Sequence, residues 1–342
     1  ILCCAMILSY FYTQEKMDME KYCQAEFRRY LLQGKLKKAF VYLKQFPDQK
    51  KLILQYQERF EQNKFPVPCD NEKILRILNI FYSYYHRVFW EQLEEEKAKK
   101  KLIEQFFSLL SLSLPENLDE YSSDQLDEIV KSQIDPLLQA QVESEGYHYL
   151  GGITQGFLGP YIWKSSQPDT FLVQLPTQTM SVTVNMLRGF ISRSWLDYIS
   201  FGEIGADGWA GEDNQLYCVI ESYAEGTQSD IFQINYLKHE AQHLLDYQLF
   251  PGISSAELEY RAKLIELIYQ KGKQRFHRFL READNNPKNS HSYASFCIMQ
   301  NLAKRLNINQ DPSNLDNWEH LTTEQISSAA LQLYQEYQPG II

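Results

Sequence analysis

The chain has 342 residues, enough to bury a sizeable core in one large domain or two smaller ones. Hydrophobic residues make up 44% and charged residues 23%, and 23 Tyr, 19 Phe and 5 Trp argue against disorder. A net charge of −10 argues against nucleic acid as a partner, because phosphate binding needs a basic surface.

The apolar run ILCCAMILSYFY at residues 1–12 is shorter than the roughly twenty residues a bilayer-spanning helix needs. It reads either as the trailing part of a signal or anchor, giving membrane association or export, or as a first buried helix of a cytoplasmic protein. Six cysteines (Cys3, Cys4, Cys23, Cys69, Cys218 and Cys297) are scattered without a CxxC pair, which suggests neither a disulfide framework nor a thiolate metal site. Residues 1–145 form a helical region. Gln24–Phe46 carries Phe27, Tyr30, Leu31, Phe40 and Leu43 in helical register, with Gly34 as the break between two helices. Asn71–Leu110 is a long amphipathic run with few turn signals, in which Glu91–Gln105 reads as a solvated helix face with i,i+4 charge pairs. Tyr121–Glu143 gives a further helix capped by Ser122 or Ser123.

At Gly146 the composition changes. Gly151, Gly152, Gly156 and Gly159 lack the GxGxxG spacing and no GK[ST] follows, so they mark turns in a small sheet and not a phosphate cradle. Alternating or β-branched segments follow at Asp169–Pro176, Thr179–Ser192 and Gln215–Ser222. Helical runs then begin near Asp230, Ser255, Ser292 and Thr323. Strands followed by helices make residues 146–342 an α+β domain behind the helical N-terminal lobe.

The helical run from Ile234 to Tyr247, INYLKHEAQHLLDY, holds His239, Glu240 and His243. Residues i and i+4 lie about 40° apart around a helix, so both imidazoles can reach one zinc ion (Zn2+). Glu240 is offset by about 100°, clear of the ion but within reach of a water in its open position, and can act as general base. Ile234, Leu237, Ala241, Leu244 and Leu245 bury the same helix, where unpaired polar groups are costly. Gln215–Ser222 fits an edge strand that aligns a substrate. Asp246 either orients an imidazole or faces solvent. For the third ligand Glu257, Glu259 and Asp246 compete. Arg261 and Lys263 offer ion pairs to Glu257 and Glu259, and Glu259 borders the apolar stripe of Leu258, Ala262, Ile265 and Tyr269, which favours it.

Strands, an HExxH helix and a second helix with acidic residues resemble the zincin metallopeptidases. Leu249 stands where the metzincin group would carry a third histidine, which points to the gluzincin group and a glutamate ligand on the next helix. There EYRAK (residues 259–263) is similar to the ExxA[DN] signature of ImmA-like peptidases. Glu259 and Ala262 match, and Lys263 replaces the Asp or Asn. The resemblance covers Gln215 to Leu267. It implies zinc held by His239, His243 and Glu259, Glu240 as catalytic base, and a peptide or protein substrate. It also implies that a downstream His291 or Tyr293 holds the oxyanion; a capping turn with surface aromatics is the plainer account of those two residues. A rival reading keeps the zinc but makes the chain a non-catalytic interaction protein whose N-terminal helices bind a partner.

Overall fold

The structure, a computed structural model, describes residues 22–340 except 63, 65–68, 155, 212, 288 and 309. The apolar run at residues 1–12 lies outside the described residues, as do Cys3 and Cys4. The chain is α+β and divides into two compact units. One unit runs to Lys164 and takes in Gly189–Gly205; the other comprises Ser165–Arg188 and the chain from Ala206 onward.

In the first unit, α1 (Gln24–Leu32) and α2 (Leu36–Leu43) are separated by Gly34, whose φ of +66° suits a residue without Cβ. Next come α3 (Lys50–Tyr56), α4 (Glu72–Tyr85) and α5 (Glu95–Leu109). The apolar run at 71–110 is therefore not continuous. It passes through a π turn at His86–Trp90 and breaks before α5, where Gln92 has φ +59°. Nor is the 91–105 charge run a solvated face. Lys99 and Lys100 are buried, with Lys99 Nζ 2.9 Å from Glu95 and 2.7 Å from Asp127, and Lys100 Nζ 2.8 Å from Glu96. The i,i+4 pairs form because buried ammonium groups need partners.

Ser122 caps α6 (Ser123–Ile129) in a reciprocal pair with Gln125, and α7 (Asp135–Ser144) completes the helices before the strands. β1 (His148–Leu150) begins two residues after Gly146, where the composition changes. β2 (Ile153–Thr154) pairs with β3 (Phe157–Leu158). β4 (Tyr161–Trp163) sits between β1 and β7 (Ser192–Arg193), which leads into α8 (Ser194–Ile199). The core here is aromatic: Phe89 stacks on Trp195 at 4.9 Å, and the Trp195 Nε1–H donates to the Thr154 carbonyl at 2.7 Å.

In the second unit, β5 (Ser165–Gln174) and β6 (Thr179–Arg188) form a ten-residue antiparallel ladder. β8 (Gly208–Ala210) and β9 (Leu216–Val219) extend it, in the order β5-β6-β9-β8. β9 runs parallel to β6 and antiparallel to β8. This corrects the edge-strand expectation for 215–222: its strand, β9, is internal, with Leu216, Cys218 and Val219 buried, and β5 and β8 are the outer strands. The helices are α9 (Asp230–Phe232), α10 (His239–Leu249), α11 (Ser255–Tyr269), α12 (Gln274–Glu282), α13 (Ser290–Arg305) and α14 (Thr323–Gln335). α11 is central, packed against α10, α13 and α14 and buried on nearly every side. Among the described residues no helix is long and apolar enough to cross a membrane.

Candidate metal centre

α10 continues from α9 through a π turn at Gln233–Lys238 that ends immediately before His239. From His239 onward the regular α spacing brings the two imidazoles together edge to face, with ring centroids 4.7 Å apart and planes at 89°. Both rings are buried. His239 Nδ1 lies 2.7 Å from Glu266 Oε1, whose other oxygen is 2.7 Å from Arg275 Nε. That contact turns His239 Nε2 toward Glu259.

Glu259 faces both imidazoles. Its Oε2 is 3.5 Å from His239 Nε2 and its Oε1 is 3.5 Å from His243 Nε2. These separations are long for hydrogen bonds, yet two donors at about 2.0–2.2 Å from a tetrahedral ion stand about 3.3–3.6 Å apart. Burial pushes the Glu259 carboxyl up, but the imidazoles of His291, His239 and His243 hold it well below the usual carboxylate range. Burial works against a charged His239, but Glu259 and Glu266 raise its pKa to about 10. Glu259 Oε2 has no aligned hydrogen-bond donor, although it is buried. Two imidazole nitrogens and a buried carboxylate form a donor set that suits zinc.

Glu240 also stands here. His239, Glu240 and His243 offer donor atoms all within 4.8 Å of one another. Two carboxylates thus border the imidazole pair, both partly buried, and position separates them: Glu259 comes from the neighbouring helix and faces both Nε2 atoms, while Glu240 lies on the histidines' own helix. Reaching both imidazole Nε2 atoms suits Glu259 to be a ligand, and standing beside them suits Glu240 to carry a proton.

The competing acids are committed elsewhere. Glu257 caps α11 with Ser254 and accepts from the Tyr337 hydroxyl at 2.8 Å and from Gly340 N at 2.5 Å. Asp246 is fully buried and accepts from Gln242 Nε2 and Arg261 Nε, both at 2.8 Å; it bonds neither imidazole and does not face solvent. Arg261 therefore pairs with Asp246 and not Glu257. Lys263 pairs with Glu282 and Ser295 and not Glu259. His291, on the first turn of α13, places Nδ1 2.9 Å from Glu259 Oε2. The Tyr293 phenol interacts with Cys297, one turn along the same helix.

Sequence reasoning missed Glu266 and Arg275. Glu266 follows Glu259 by seven residues, two helical turns, so its place on the same face was readable from spacing. Arg275 lies on α12, a helix the pattern did not reveal. No protein-family model matches the chain, and neither a curated protein nor a solved structure does.

Proposed function

We propose that the chain is a zinc-dependent peptidase that cleaves a peptide or protein amide bond with water. The observation supporting this most strongly is the meeting of His239 Nε2, His243 Nε2 and both Glu259 oxygens beside Glu240. His239, His243 and Glu259 would hold the zinc, which when bound would supply Lewis-acid polarisation of the scissile carbonyl and lower the pKa of water. Glu240 takes the proton of the attacking water and passes it to the leaving amine. Glu266 engages His239 Nδ1 and so leaves Nε2 free as the ligand nitrogen. β8, an outer strand of its sheet packed beside α10, lies where an extended peptide could align along the sheet next to the centre.

Replacing Glu240 by Gln tests the proposal and separates it from a purely structural zinc site. The variant keeps its zinc and its fold, and hydrolysis of a peptide library falls by about 10²–10⁴-fold. Near wild-type hydrolysis by Glu240→Gln, or no zinc-dependent hydrolysis by the wild type, contradicts the peptidase reading.

A further inference from the structure

We propose that His291 is a positioning residue: its Nδ1–H holds Glu259 Oε2, leaving Oε1 to bind the metal, and its main work is not at the reaction's oxyanion. This rests on the metal centre described above. Glu259 Oε2 is buried and has no aligned donor, and His291 Nδ1 is the nitrogen nearest to it, at 2.9 Å against 3.5 Å for His239 Nε2. The His291 side chain is 56% exposed, so a small ring rotation aligns the bond without disturbing packing. Glu266 does the corresponding work for His239 from the other side. With both in place, one ligand is fixed in ring orientation and the other in its choice of oxygen. A carboxylate free to swing between two imidazoles would instead offer either oxygen, which loosens the site.

The start of α13 does not depend on the imidazole. Asn289 is its N-cap and its side-chain oxygen accepts from Ser292 N at 3.4 Å, so variants at 291 keep the helix. An asparagine amide can stand in for Nδ1–H, whereas a glutamine amide reaches toward the Nε2 position. Zinc affinity, measured on the full chain by competition with a chromophoric chelator, is the readout. His291→Ala weakens zinc by about 10–100-fold, His291→Asn restores most of the loss and His291→Gln does not. In peptide hydrolysis at saturating zinc, His291→Asn stays closer to the wild type than His291→Gln.

If His291→Ala binds zinc as tightly as the wild type and loses only kcat, the residue acts at the reacting atoms and the inference is overturned. Equal rescue by Asn and Gln also overturns it. A wild-type chain that binds no zinc overturns the metal-centre reading and this inference together, which keeps the two failures distinct.

Discussion

Glu266 decides which nitrogen of His239 can face a metal ion, and Arg275 in turn neutralises Glu266. Neutralising the carboxylate removes the charge-assisted contact while keeping its shape, so Glu266→Gln weakens zinc binding by about 10–100-fold without unfolding the chain. Chelator competition checks the affinity and circular dichroism the fold. Glu259→Ala costs far more affinity than Glu257→Ala or Asp246→Ala, because the last two carboxylates are bonded away from the imidazoles. A larger zinc loss in Glu257→Ala would move the third ligand to that residue. At this scale the sequence is informative where chemistry follows spacing along one helix: His239, Glu240 and His243 are related by a single turn. It is silent on Arg275, whose partner is set by how two helices pack.

α11 shows what an element contributes beyond its candidate ligand. Glu259 and Glu266 project to the imidazoles, while Lys263 binds Glu282 at the end of α12 and Ser295 on α13. One buried ammonium therefore ties three helices together. Glu282→Gln leaves that ammonium without its counter-ion and lowers stability by about 2–3 kcal/mol, somewhat less than for a fully buried pair; the urea midpoint measures it. Burial pushes the Glu282 carboxyl up, but Lys263 and the nearby Arg278 bring it below its usual value. Its folded pKa is thus depressed, so its contribution is complete above the ordinary carboxylate pKa and is lost as pH falls through the lower folded value. The wild type loses this increment on acidification and Glu282→Gln does not, so their urea midpoints converge at low pH. α12 escapes sequence reading because QRFHRFLRE is short, carries four charged residues in nine and buries only Phe276, Phe279 and Leu280. Likewise β8 is three residues between glycine-rich turns, too short for an alternating pattern, so the edge position was assigned to its longer apolar neighbour β9.

For the whole molecule, α+β character and the order of strands before the HExxH helix are legible from periodicity and turn residues. The partition into units is not. Gly189–Gly205 returns to the helical unit after the β5–β6 hairpin has left it, a non-local exchange that local composition does not encode. The partition also locates the proposed zinc centre. All the candidate ligands lie in the second unit, so removing zinc with a chelator speeds amide hydrogen exchange in α10 and α11 and leaves α4 and α5 unchanged. Uniform acceleration across both units would mean that the ion supports the entire chain and not this centre. The most direct measurement is zinc content per chain, by elemental mass spectrometry after zinc-replete expression, in the wild type, His239→Ala and His243→Ala. The metal centre requires one zinc per wild-type chain and a sharp fall in each variant; a wild type without zinc, or variants that keep it in full, would contradict it.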